Sequence, residues 1–229
     1  VSTRLSRTIR NALEAVADPA RAAGMQAYMK SEMPFYGIPA PLLRKTCRAI
    51  FDNHPLQHPD QFRKEVLTIW RNARHREERY AAIQLTADLR ARPFQTMDSL
   101  PMYEEMIITG AWWDYVDGIA GHRLGEILRH DPRPMRRAML QWSRDENLWK
   151  RRSAILCQLR FKGDTDLELL YATIRPSLAS REFFLRKAIG WALRQYAWTD
   201  PDEVARFVEQ HRELLSPLSR REALKNIPQ

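Results

Sequence analysis

The 229 residues carry 37 Lys and Arg against 28 Asp and Glu, giving a net charge of +9 and a pI of about 9.9, with 44% of residues hydrophobic. An ordinary aromatic content excludes a disordered chain, the lack of any apolar run near ~18 residues excludes a membrane span, and two isolated cysteines, Cys47 and Cys157, exclude a disulfide framework or a zinc site. The basic excess points to an anionic partner, of which nucleic acid is the commonest.

Gly is scarce, Leu, Ala, Arg and Glu are frequent, and β-branched runs are nearly absent, so the chain reads as all-α. In chain order, the apolar periodicity predicts helices over 3–17, 19–32, 39–51, 59–71, 75–91, 95–108, 112–129, 133–143, 147–161, 165–175, 181–197, 201–209 and 217–225. Pro34 and Pro39 frame the break Phe35-Tyr36-Gly37-Ile38. Asp131-Pro132 and Asp200-Pro201 read as a capping Asp followed by a first-turn Pro. In Lys162-Gly163-Asp164, Gly163 is the expected helix terminator. No linker or composition shift divides the chain, so a single domain over 1–229 is expected. Helices bearing Trp113, Arg152 and Trp191 recur at about 40 residues, the period of HEAT or armadillo pairs. The expected architecture is therefore an α-solenoid of HEAT-like helical repeats with a concave basic face.

Trp113 and Asp117 lie four residues apart in Trp112-Trp113-Asp114-Tyr115-Val116-Asp117, on one helical face. An indole beside a carboxylate suits a flat cation. Trp112, Val116, Ile119, Ala120, Ile127 and Leu128 trace the core stripe of that helix. In the helix around 147–161, Arg152 falls on the apolar stripe of Leu148, Ile155, Leu156 and Leu159, so its guanidinium needs a partner. Asp117 is one candidate and a phosphate another. Lys150 and Arg151 face elsewhere, as backbone-binding or solvated charges. In the helix around 181–197, Trp191 is offset from the stripe of Leu185, Ile189, Ala192 and Tyr196, with Lys187 and Gln195 beside it, and offers a stacking surface.

Three basic clusters are candidates for phosphate contact or for a solvated face: Arg71, Arg74, Arg76 and Arg79; Arg133, Arg136 and Arg137; and Arg220, Arg221 and Lys225. His54 and His58 have metal-like spacing, but Pro55 between them argues against it. There is no P-loop, GxGxxG, GxSxG or HExxH, so neither a metal nor a nucleotide cofactor is expected. The run Val1-Ser2-Thr3-Arg4 has no secretory h-region, and a cytoplasmic location, nucleoid-associated in a prokaryote, is expected.

Three segments, 111–117, 148–155 and 183–194, resemble in order the AlkD-type DNA alkylation repair glycosylases, as do Tyr28-Met29-Lys30 and Tyr36-Gly37-Ile38. The resemblance runs from about 20 to 226. It implies a HEAT-like solenoid and a monofunctional glycosylase that removes cationic N3- or N7-alkylpurines from duplex DNA. It further implies that Asp117 is the catalytic carboxylate, that Trp113 and Trp191 hold the lesion's deoxyribose and backbone, and that Arg152 supports the site and its phosphates. Tyr28 matches a DNA-facing position. Lys150, Arg151, Lys187 and Arg194 are the accompanying candidates for DNA contact. Pro39 stands where many relatives carry a polar residue, so contacts from that loop are not carried over. The implied protein works without a deep base-flipping pocket; separately, a monomer is expected. Two other readings of the same residues are a catalytically silent DNA-binding solenoid, and a protein-binding scaffold.

Overall fold

The computed structural model describes residues 2–227. Helix accounts for 72% of the chain, in 14 α-helices among the described residues, and these contain no strand, as expected for the all-α solenoid class. No helix among them is long and apolar enough to cross a membrane. The helices fall into two compact units, Val1–Gln95 and Thr96–Gln229.

Unit 1 contains α1 (Arg4–Ala15), α2 (Pro19–Met29), α3 (Ala40–Asp52), α4 (Pro59–Arg71) and α5 (Arg76–Thr86). Thr3 caps α1 by accepting from Ser6 N, and Asp18 caps α2 by accepting from Ala20 N. Leu5, Ile9 and Leu13 of α1 pack into a core with Leu43, Cys47, Ile50 and Phe51 of α3 and with Phe62, Val66, Ile69 and Trp70 of α4. Helix α2 buries only Met29 and leaves Tyr28 77% exposed.

The segment that returns from α2 to α3 is held from within. Glu77, fully buried on α5, accepts backbone N–H bonds from Tyr36, Gly37 and Ile38 at 2.9–3.1 Å. Its neighbour Glu78 accepts from Tyr36 Oη at 3.1 Å and pairs with Arg10 at 2.8 Å. A buried carboxylate is tolerated only when hydrogen-bonded, and each of these two is. Gly37 takes φ +85°, and a Cβ there would meet the backbone oxygen of Asp18 at 2.0 Å.

Unit 2 contains α6 (Leu100–Gly110), α7 (Trp113–Gly118), α8 (Gly125–His130), α9 (Pro132–Trp142), α10 (Leu148–Leu156), α11 (Leu167–Ile174), α12 (Phe183–Tyr196), α13 (Pro201–Gln210) and α14 (Pro217–Ala223). Asn147 caps α10 by accepting from Trp149 N and Lys150 N, Asp166 caps α11, and Asp200 caps α13 with Pro201 in its first turn, as expected.

Three expectations are corrected here. The helix expected over 112–129 is one rod in three parts, because Ile119–Leu124 adopts π geometry between α7 and α8. Asp131 precedes α9 but does not cap it. Its carboxylate accepts instead from Met97 N at 3.1 Å, across to the turn that opens α6. At 162–164 the left-handed residue is Lys162 (φ 52°), while Gly163 lies in a 3-10 turn.

Gly37→Ala is expected to destabilise unit 1 by about 1–3 kcal/mol, because the side chain both strains φ and collides with main chain that cannot yield cheaply. Urea unfolding followed by circular dichroism measures it. A midpoint equal to the parent's would show that the loop relaxes at no cost.

Candidate active site

The chain turns sharply into the site. Helix α6 ends at Gly110, Ala111 takes left-handed angles (φ 42°, ψ 38°), and Trp112 is extended before α7 begins at Trp113. A left-handed Ala costs roughly 1–2 kcal/mol. The turn separates the two indoles. Trp112 enters an aromatic cluster with Trp149 and Phe184, ring centroids 5.0–6.2 Å apart. Trp113 opens α7, half-buried, one helical turn before Asp117.

Helix α10 packs against both α7 and α12, and Arg152 is its contribution to the site. The buried guanidinium makes a two-pronged bond to Asp117, Nε to Oδ1 and Nη2 to Oδ2, both at 2.8 Å. Its remaining nitrogen, Nη1, donates to the backbone carbonyl of Phe184 on α12. Asp117, one of the two partners foreseen for Arg152, is bonded to it. The pair fixes three helices with one side chain. The Asp117 side chain keeps 15% exposure. Burial raises its pKa, and Asp114 adds to the rise, while the hydrogen bonds and charge of Arg152 pull against it.

Trp191 is half-buried on α12, two turns beyond Phe184 and on the same face. Here α12 crosses α14 closely: a Cβ on Gly190 would meet Glu222 Cβ at 2.5 Å. Glu222 reaches up from that crossing and pairs with Lys187 at 2.9 Å and with Arg194. The hydrogen bond from Lys187, with both cationic charges behind it, holds the Glu222 carboxyl below its ordinary range.

The expected DNA-contact residues therefore divide. Tyr28, in unit 1, is exposed. Arg151 is half-buried and donates from Nη2 to Ser177 Oγ at 2.9 Å. Lys150 is not the solvated charge expected. Only 9% exposed, its ammonium binds Glu104 at 2.7 Å and Asp145 at 2.6 Å and lies 5.3 Å from the Trp142 ring. Burial opposes the Lys150 charge, but bonds to Asp145 and Glu104 outweigh it and its pKa is raised. Lys187 and Arg194 are committed to Glu222.

The arginine cluster at the start of α5 is likewise partly structural. Arg76 is buried over Phe35 and Tyr80, and Arg79 lies over Trp70 at 4.7 Å. Arg136 pairs with Asp166 and Glu168. Burial pushes both cysteine thiols up to about 12. Among the described residues no group of three or more His, Cys, Asp or Glu is placed to hold a metal. Glu77, Glu78, Gly190, Glu222 and the π segment were not singled out from sequence. The one usable signal was for Glu77 and Glu78, two acids in the first turn of a helix in a basic stretch.

The sequence profile of the DNA alkylation repair enzyme family matches residues 9–227. The chain belongs to this family. A solved structure described as a predicted DNA alkylation repair enzyme from Enterococcus faecalis is 30% identical, with a TM-score of 0.84 over 93% of this chain and 97% of that one. Comparison with curated proteins gives no match. Family membership supports a role in repair of alkylated DNA and makes an enzyme the expected kind of protein.

Arg152→Gln is expected to raise the Asp117 pKa further, since burial remains and the opposing cation is gone. A carboxyl with a raised folded-state pKa costs stability as pH rises from its unfolded value through its folded one. The window of pH-dependent stability in the variant should therefore extend upward. Carboxyl-detected NMR titration reads it directly. An unmoved Asp117 would show that the guanidinium does not govern its ionisation.

Proposed function

We propose that this family member is a monofunctional DNA glycosylase that hydrolyses the N-glycosidic bond of cationic N3- and N7-alkylpurines in duplex DNA, acting as a monomer without a metal or cofactor. The observation that carries the reading is Asp117: a mostly buried carboxylate, oriented through both oxygens by Arg152, one turn from the indole of Trp113.

The chemistry follows from the substrate. An alkylated purine already bears positive charge and leaves without strong protonation. As the C1′–N bond breaks, charge develops on the sugar. A fixed carboxylate stabilises that oxocarbenium ion and orients water toward C1′. The faces of Trp113 and Trp191 offer a further ~0.5–2 kcal/mol each to a cation. Lys150, the lysine on the central site helix, is a buried ammonium bound to two carboxylates. It is poorly suited to act as an amine nucleophile, which supports hydrolysis without strand cleavage.

The paired hydrogen bonds from Arg152 to Asp117 also suit a second reading, a silent binder of damaged DNA in which the carboxylate is purely structural. Release of free base from methylated duplex, identified by mass, separates the two. Asp117→Asn should slow single-turnover release by about 10²–10³ while leaving duplex affinity nearly unchanged. Asp114→Asn, altered on a different helical face, should stay active. Asp117→Asn working at the parental rate would overturn the assignment. Efficient release of the neutral base uracil would overturn the leaving-group argument.

Glu222→Gln is expected to act in the opposite direction, on binding. It frees Lys187 and Arg194, so affinity for unmodified duplex should rise. The slope of log affinity against log salt should steepen by about 0.9 for each cation that reaches a phosphate. A slope equal to the parent's would show that neither cation faces the DNA.

A further inference from the structure

The charge of this chain is unevenly placed. Unit 1 holds 16 Lys and Arg against 9 Asp and Glu, a net of +7, while unit 2 holds 21 against 19, a net of +2. The acid-aromatic site thus lies in the unit that is almost neutral, and Lys150, Arg152, Lys187 and Arg194 there are paired with carboxylates. A polyanion must find its grip elsewhere.

Within unit 1 one feature gathers unpaired cations around open space. The buried stripe of α3, Leu43, Cys47, Ile50 and Phe51, turns Arg44, Lys45 and Arg48 outward. They are exposed, and they line a groove of about 960 Å³ between α3 and the end of α5. Across the groove Arg90 pairs with Asp88 at 2.6 Å and with Asp52 at 3.3 Å. The two acids of the groove therefore already have a cation between them. The groove has a net charge of +2; the charge of Arg48 also acts on Asp88, but Arg44, Lys45 and Arg48 make no ion pair within 4 Å among the described residues and face open space. Arg44 and Arg48 are neighbours one turn apart.

We propose that this α3–α5 groove of unit 1 binds the phosphodiester backbone of duplex DNA and supplies a principal share of the chain's polyanion affinity. The proposal rests on the reading of DNA as substrate given above. An extended polyanion needs what the groove has: an open channel, several free donors and no enclosed pocket. Guanidinium groups give forked hydrogen bonds to phosphate oxygens as well as charge. Contacts of this kind position the duplex and are indifferent to its sequence.

The test compares the parent chain with the double variant Arg44→Gln, Arg48→Gln, measuring anisotropy of a labelled, unmodified duplex at about 50 to 200 mM salt. Each lost phosphate contact lowers the salt slope by about 0.9. Two lost contacts shrink the fall in affinity across that range by about 12-fold. Both residues are exposed, so the thermal midpoint should hold. The double variant Arg44→Lys, Arg48→Lys should keep most of the parental slope. If the Gln variant binds with the parent's affinity and slope, the groove does not hold DNA and the proposal is overturned. If the parent binds duplex with the expected slope change in the variant but releases no alkylated base, the glycosylase reading falls while this one stands.

Discussion

The bond between Arg152 and Asp117 is the constraint on which the site depends. It joins α10 to α7 through two hydrogen bonds, and the same guanidinium reaches the backbone of Phe184 on α12. A pair of this kind is not an economical way to hold three helices together. Desolvating two charges costs several kcal/mol, and an apolar pair of similar volume often does as well or better. The surrounding packing of Trp112, Trp149 and Phe184 shows that the chain has the aromatic means to hold this junction without charges. What an apolar pair cannot do is hold a mostly buried carboxyl group fixed in direction through both of its oxygens. Burial pushes the Asp117 carboxyl upward, and Arg152 is what opposes that.

Most of the fold was legible because it rests on local rules. The 3.6-residue stripes of Val116, Ile119 and Ala120, or of Leu185, Ile189 and Ala192, are buried as read. Asp200-Pro201 announces α13 by cap chemistry within three residues. The features that escaped depend on partners far along the chain. Asp131 looks like a cap until Met97 N, 34 residues earlier, takes its carboxylate. Lys162 rather than Gly163 takes the left-handed turn, and propensity alone ranks them the other way. The π segment at Ile119–Leu124 leaves the apolar pattern of a continuous helix almost intact, so periodicity could not reveal it. It lies directly after Asp117, and π geometry inside a helix is frequent at functional sites.

The site itself was partly legible for the same reason. Arg152 on an apolar stripe demands a partner, and Asp117 is one of two candidates in the sequence. Lys150 gave no such warning. In Lys150-Arg151-Arg152 three adjacent cations differ only in direction, and what separates them is Glu104 on α6 and Asp145 before α10. Glu222 was invisible because its meaning comes from the close approach of α14 at Gly190, a contact between helices 32 residues apart.

Holding DNA and catalysing glycosidic cleavage make opposite electrostatic demands. Phosphates call for free cations, whereas a sugar that becomes positive in the transition state is disfavoured by each free cation nearby. At an effective dielectric near 20, two like charges 4 Å apart repel by about 4 kcal/mol, comparable with the whole contribution of one catalytic stabiliser. On the proposed function, the observed pairing answers this conflict. Lys150 is bound by Glu104 and Asp145, Lys187 and Arg194 by Glu222, and Arg152 by Asp117 itself. Unit 2 is left at +2 with a carboxylate and two indoles in its site, while unit 1 keeps most of the net charge. On the proposed chemistry, Glu104, Asp145 and Glu222, which pair with Lys150, Lys187 and Arg194, are as much a part of the catalytic environment as Asp117. They keep the field at the sugar from turning against the cation that the reaction must form.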